Sequence, residues 1–187
     1  SSPNYGSPSS FAITSISAGK HSMILDEDND RIYYFKANEK LKILNLSGTT
    51  LSTVTLLQDG PNAYCQYPFF TKDANGNIYF AWVTDDHLGP ACYRHIGFIV
   101  SRDLGVTWEK MDGTNLTLPI VADETGSAEM ISLIGDVLVN KFLSGWQYAN
   151  ERLHAVYWLD SSPNKQRYVR INPTTGAIEK TIDLIFG

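Results

Sequence analysis

The sequence predicts an all-β protein built from about three units of four antiparallel strands, and three observations predict it. Helical periodicity is nearly absent, and short runs rich in β-branched and aromatic residues alternate with polar turns. A segment made of a polar turn and an aromatic strand recurs three times along the chain. One further turn carries hydroxyl, carboxylate, glycine and indole side chains at close, fixed spacing.

Residues 1–10, opening Ser1-Ser2-Pro3-Asn4-Tyr5-Gly6-Ser7-Pro8, read as a linker, as if cut or processed from a longer chain. Residues 11–187 carry the units, at approximately 18–58, 64–112 and 127–186. The recurring segments are Asp28-Asn29-Asp30-Arg31-Ile32-Tyr33-Tyr34-Phe35, Asp73-Ala74-Asn75-Gly76-Asn77-Ile78-Tyr79-Phe80-Ala81-Trp82 and Asn150-Glu151-Arg152-Leu153-His154-Ala155-Val156-Tyr157-Trp158. Asn, Asp and Gly suit their turns because they tolerate left-handed backbone geometry. An apolar strand precedes each segment, at His21 to Leu25, Gln66 to Thr71 and Leu138 to Leu143. Two more strands follow each, around turns near Ser47-Gly48, Asp103-Gly105 and Pro173-Gly176. Four-stranded repeats at a spacing of roughly 50 to 70 residues are the signature of a β-propeller. The competing fold, a β-sandwich of about a dozen strands, does not require the repeat. Three blades fall short of the usual four to eight. The remainder would come from missing blades of a parent chain or from a second copy.

Composition bounds the function. Of 187 residues, 43% are hydrophobic and 19% charged, an ordinary globular balance. The aromatic share of 12% suits twisted sheets and also sugar-stacking surfaces. A net charge of −5 argues against nucleic acid and against an anionic membrane surface. No apolar run approaches the roughly 20 residues that a membrane helix needs, so membrane insertion is not expected. No cofactor is implied. Cys65 and Cys92 form no zinc pattern, and they read either as a disulfide pair or as two unpaired thiols. The acidic stretch Asp26-Glu27-Asp28-Asn29-Asp30 reads as a solvated hairpin, since a calcium loop would need a differently placed glycine and a terminal glutamate. No metal site is therefore expected. Asn45-Leu46-Ser47 and Asn115-Leu116-Thr117 are sequons that would matter only in a secretory host.

Ser101-Arg102-Asp103-Leu104-Gly105-Val106-Thr107-Trp108 fits the pattern S-x-D-x-G-x-T-W. Asp103 can accept from the backbone of its own turn, Gly105 can adopt positive φ, and Trp108 can fold against the hairpin while opening an outer strand. Ser101 and Thr107 complete the hydroxyl pattern. This motif resembles the Asp-box, or BNR repeat, of sialidase-like propellers. The resemblance implies a structural hairpin between strands three and four of a blade, on the face opposite the binding site. Ile171 to Ile178 is a worn equivalent that keeps Gly176. The following run, Thr107 to Ile120, with Thr107-Trp108, Gly113 and Leu118-Pro119-Ile120, resembles the BNR-4 type propellers. So do Tyr67-Pro68-Phe69-Phe70 with the turn Asp73-Ala74-Asn75-Gly76, and Ala128-Glu129 with Leu138-Val139-Asn140. Those propellers occur among secreted bacterial proteins, including polysaccharide lyases that act on ulvan-like uronate polymers. The resemblance thus implies an extracellular or cell-surface setting, with a virion surface as a further option.

In such a blade the functional rim is formed by Gln58 to Cys65, Val83 to Tyr93, Met111 to Ser127 and Asp160 to Arg167, with Lys20-His21 at its edge. The second unit's loop is the richest. Asp85-Asp86-His87 is followed by Cys92-Tyr93-Arg94-His95. Cleavage of a uronate polymer needs a cation for the carboxylate, a base for the α-proton and an acid for the leaving oxygen. Arg94 or Arg167 could supply the first, and His87, Tyr93 or His95 the others. Asp85, Asp86 and Arg167 are candidate ligand contacts. Glycosidase chemistry would instead need two carboxylates, for which Asp85, Asp86, Asp123, Glu124 and Glu129 are available. His21 and His154 read as structural. The expected function is recognition of a glycan or polysaccharide at this rim. The alternatives are a catalytic portion of a polysaccharide lyase or glycosidase, and a structural or protein-binding propeller segment such as part of an adhesin or phage tail fibre.

Overall fold

A computed structural model describes residues 20–36, 40–60, 64–85, 93–122, 129–131 and 140–185. Among these residues the chain forms three four-stranded antiparallel sheets and one two-stranded parallel pair. The first sheet runs β1 (His21–Asp26), β2 (Arg31–Lys36), β3 (Leu41–Leu44) and β4 (Thr50–Val54). After the short β5 (Leu57–Asp59), the second sheet begins with β6 (Tyr64–Lys72), β7 (Ile78–Asp85) and β8 (Tyr93–Ser101). Then come β9 (Ile120–Ala122), which pairs with β5, and β10 (Glu129–Met130), which completes the second sheet against β8. The third sheet runs β11 (Asn140–Ala149), β12 (Arg152–Asp160), β13 (Lys165–Ile171) and β14 (Ile178–Ile185). A single 3-10 turn, Glu27–Asn29, joins β1 to β2.

Alternation along each strand sends successive side chains to opposite faces, and the second sheet is apolar on both. Ile78, Phe80 and Trp82 of β7 pack against Tyr33, Phe35, Leu41 and Ile43 of the first sheet, with Phe70 and Trp108. Tyr79, Ala81 and Val83 face the other way, onto Leu143, Trp146, Leu153, Ala155 and Tyr157 of the third sheet. Burying each such side chain contributes about 1.5–3 kcal/mol, so these two joints are the core. Trp82 lies flat across its strand partner Gly97, where an added Cβ would sit 2.6 Å from the indole. Only glycine leaves room for the ring.

Strands β1, β6 and β11 are adjacent and run in the same direction. Ser22 Oγ accepts from the Phe70 N–H at 3.0 Å, and Lys72 Nζ reaches Asp26 Oδ1 at 2.7 Å. On the other side the Tyr148 N–H donates to Thr71 Oγ1 at 2.9 Å. All three sheets therefore present their first-strand starts at one end. The opposite end holds the turns, and several are closed by an Asn or Asp oxygen. Asn45 accepts from the Thr49 N–H, Asp73 from the N–H groups of Asn75 and Asn77, and Asn172 from Thr174 and Thr175.

The 101–108 turn follows the same logic. Asp103 accepts from the Thr107 N–H at 2.8 Å, from Thr107 Oγ1 at 2.6 Å and from Ser101 Oγ at 2.9 Å. Ser101 Oγ in turn accepts from the Gly105 N–H at 2.8 Å. Burial works against the Asp103 charge, but these donors outweigh it and hold the carboxyl below its usual pKa. Leu104 and Gly105 both have positive φ, 60° and 87°.

The outer strand of the second sheet differs from expectation. Trp108 does not open a continuous strand. Its ring is fully buried at the first joint, and only Glu109 bridges back, to Val100. Burying the indole turns the chain inward, and the outer position on β8 is filled by β10, paired to Phe98 and Gly97. The Cys65 thiol is buried, and its suggested partner in a Cys65–Cys92 bridge falls on a residue that is not described.

Candidate functional site

The strand ends that carry Lys20, Tyr64, Asp85, Tyr93, Asn140, Asp160 and Lys165 lie together at the end opposite the Asx turns. Aromatic rings form a row across them. The Tyr67 and Phe142 centroids are 5.9 Å apart, Tyr93 and Phe142 4.9 Å, and Phe142 and Trp158 5.9 Å. Tyr67 and Tyr93 meet edge to face at 5.8 Å. The Lys20 ammonium sits 3.5 Å from the Tyr67 centroid and 5.6 Å from that of Tyr93, within cation–π range. Trp158 is 43% exposed, which leaves a ring available to a ligand.

Local backbone chemistry builds the row. Tyr67 precedes Pro68, which cannot donate to the ladder, and the β6–β7 register shifts between Gln66 and Phe69. Within this bulge Tyr67 adopts φ 47°, a left-handed conformation unfavourable for a bulky residue before proline. The contacts of its ring with Tyr93, Phe142 and Lys20 hold it there. Such strain costs of order 1–3 kcal/mol and concentrates at binding sites. Polar groups flank the row. The Tyr93 N–H donates to Asn140 Oδ1 at 3.1 Å, and Asn140 Nδ2 donates to Asp160 Oδ2 at 3.3 Å.

The same strands also carry buried polar side chains. Asp85, His95, Lys141 and Arg167 are between 0% and 8% exposed. Arg167 is held inside the third sheet. Its Nε and Nη2 donate to Asp183 at 2.5 and 2.8 Å, and Lys165 adds a third contact at 2.8 Å. The Arg167 hydrogen bonds, against an opposing burial effect, push the Asp183 carboxyl far below the ordinary range. Arg167 therefore acts first as a structural partner of Asp183, its neighbour in the β13–β14 register.

Of the candidate residues, Asp85, Tyr93, His95 and Arg167 fall at this end. The Arg94 backbone does too, on β8. Asp86 and His87 lie outside the described residues, as do Asp123 and Glu124. The sequence reading did not single out Tyr67, Phe142, Trp158 or Lys141. A Tyr-Pro step inside a strand was the available signal for the first. His21 and His154 are each bonded through Nδ1 to a tyrosine hydroxyl, of Tyr34 at 2.7 Å and Tyr168 at 2.8 Å. A separate cavity of about 450 Å³ beside β5 is lined by Lys40, Lys42, Gln58, Asp59 and Cys65. Among the described residues no three His, Cys, Asp or Glu side chains converge as metal ligands, and no helix is long and apolar enough to cross a membrane.

A family model described as a BNR repeat-containing family member matches residues 27–181. No curated protein matches the chain by sequence. Among solved structures, the fold is similar to an ulvan lyase from a new family of polysaccharide lyases, at TM-score 0.61 and 18% identity. The similarity covers 87% of this chain and 42% of that one. The same lyase bound to a GlcA(1-4)Rha3S repeat matches equally, at TM-score 0.61 and 18% identity with the same coverage. The chain thus spans less than half the length of the structures it resembles.

Proposed function

Because the chain belongs to the BNR repeat-containing family, we infer that its sheets are consecutive blades of a β-propeller whose rim binds carbohydrate. The observation that carries this reading is the aromatic row from Lys20 and Tyr67 through Phe142 to Trp158. Sugars present flat, weakly apolar C–H faces and outward hydroxyls. Aromatic rings stack on the first, and edge groups such as Asn140 and Asp160 bond the second. In this reading the 101–108 turn is an Asp-box that closes its blade at the far end. The protein works outside the cell, where polysaccharides are found.

The bound ulvan repeat of the similar lyase makes a uronate-containing polysaccharide the first ligand to try. Binding is measured by calorimetry with an ulvan-type polymer and with a neutral polymer. Trp158→Ala is expected to weaken binding about tenfold, or about 1.4 kcal/mol, without changing the melting temperature. Absence of binding to either polymer, or binding indifferent to Trp158→Ala, overturns the reading. Lyase chemistry is read in the same samples from the ultraviolet absorbance of an unsaturated uronate product. If it appears, Tyr93 and His95 are the first residues to test as acid and base.

A further inference from the structure

The aromatic row has two ends of different charge. Lys20 stands at one, with its ammonium 3.5 Å from the Tyr67 centroid and 5.6 Å from that of Tyr93. Among the described residues it has no carboxylate partner, unlike Lys72 on Asp26 and Lys165 on Asp183. At the other end Asp160 lies two residues beyond Trp158 and so shares its face of β12. Asn140 Nδ2 donates to the Asp160 carboxylate at 3.3 Å, and among the described residues no cation pairs with it.

The rings say how the cation is held and what it is left to do. An ammonium over a tyrosine face is attracted by the ring quadrupole, and its three N–H donors are not consumed by that contact. Tyr67 presents this face from its φ 47° conformation, with its ring set edge-on against Tyr93 and Phe142 at interplanar angles of 66° and 84°. One face of Tyr67 is thus taken by Lys20, and the exposed ring of the row is Trp158. Phe142 touches both rings, 5.9 Å from Tyr67 and 5.9 Å from Trp158. Lys20 also lies outside the residues 27–181 that match the family model, so membership of the family does not by itself supply this cation.

We propose that Lys20 is the specificity-determining residue of this rim: its ammonium pairs with an anionic substituent of a sugar, a carboxylate or a sulfate ester, while Trp158 stacks on a sugar face irrespective of charge. The inference rests on the glycan-binding reading above and adds a division of labour to it. Asp160 repels an anion at the Trp158 end, so the charged group is directed to the Lys20 end.

The test is calorimetry at low and high salt with an ulvan-type polymer, its carboxyl-reduced form, its desulfated form and the form carrying both changes. Wild type is expected to bind the charged polymer about tenfold more tightly than the doubly neutralised one, and this preference shrinks as salt rises. Lys20→Met is expected to lose the preference while its affinity for the neutralised polymer stays within about twofold of wild type. Lys20→Arg keeps the cation and should keep the preference. Trp158→Ala should weaken the charged and the neutralised polymer by the same factor. Whichever single modification abolishes the effect of Lys20→Met identifies the anion that Lys20 meets. Equal weakening of charged and neutralised polymers by Lys20→Met marks a merely structural lysine and overturns the assignment, as does an undiminished preference. Either result leaves the glycan-binding reading standing, whereas absence of binding to every polymer overturns both.

Discussion

Replacing Lys72 by methionine should loosen the joint between the first two sheets. The Asp26 side chain is fully buried and has two partners, Lys72 Nζ at 2.7 Å and Asn29 Nδ2 at 2.8 Å. Burial alone would raise its pKa, yet the Lys72 and Asn29 hydrogen bonds outweigh that effect and hold it below the ordinary value. Methionine keeps the stem's packing but removes the cation, leaving a buried carboxylate with only the neutral donors of Asn29. Loss of a hydrogen bond to a charged group costs about 1.5–3 kcal/mol. Removing one partner of a fully buried pair costs about 3–5 kcal/mol. Lys72 is 27% exposed, so water partly replaces it, and about 2 kcal/mol is the expected loss. The pH dependence carries the same signature. A carboxyl depressed in the folded state stabilises it above the unfolded pKa of about 3.9. That contribution disappears as pH falls through the lower folded value. Urea unfolding of wild type and Lys72→Met should therefore differ near neutrality and converge in acid. Equal midpoints at neutral pH, or a difference that grows as pH drops, would refute the argument.

Two other perturbations follow from the turns and the thiol. Gly105→Ala forces a side chain into φ 87° with its Cβ 2.7 Å from Ile43 Cδ1 and 3.2 Å from Tyr33 Cε1. The Ile43 methyl can yield, so the left-handed penalty dominates and the expected loss is about 1–3 kcal/mol by chemical denaturation. A neutral outcome would mean that position 105 is not held in the left-handed region. Burial, reinforced by the charge of Asp59, pushes the Cys65 thiol well above its usual pKa. In a Cys92→Ser background, iodoacetamide labelling at neutral pH should be far slower in the native protein than in urea. Comparable rates would contradict the buried, neutral thiol.

The parts of this fold that were legible in the sequence are those whose chemistry is local. The turns at Asn45, Asp73, Asp103 and Asn172 announce themselves because an Asx oxygen and a nearby glycine act within five residues. Alternation then follows on either side. The rim was legible as a place but not as a constellation. Tyr67 and Phe142 meet across two sheets, and no spacing rule links residues so far apart in sequence. Arg167 looked available because its cross-strand neighbour Asp183 belongs to a later strand, and register is not written in either strand alone. Nothing in the strand start around Lys141 marks it as buried, yet its side chain is completely enclosed. The interrupted outer strand of the second sheet was missed for a related reason. Trp108 satisfies its motif equally well whether the chain continues straight or bends inward behind it.

That inward bend has a mechanical consequence. Beyond Trp108 the chain doubles back until β9 lies parallel to β5, with Leu57 opposite Ile120 and the Ile120 N–H bonded to the Leu56 carbonyl at 2.9 Å. The segment that leaves the second sheet is thereby buckled onto the connector that enters it. Peeling the first sheet away must break this clasp as well as the apolar joint. The described contacts between the second and third sheets hold no comparable clasp. Under load or in native-state hydrogen exchange, the first two sheets should open as one cooperative block, with the third sheet the hinge-side leaf that parts from them first.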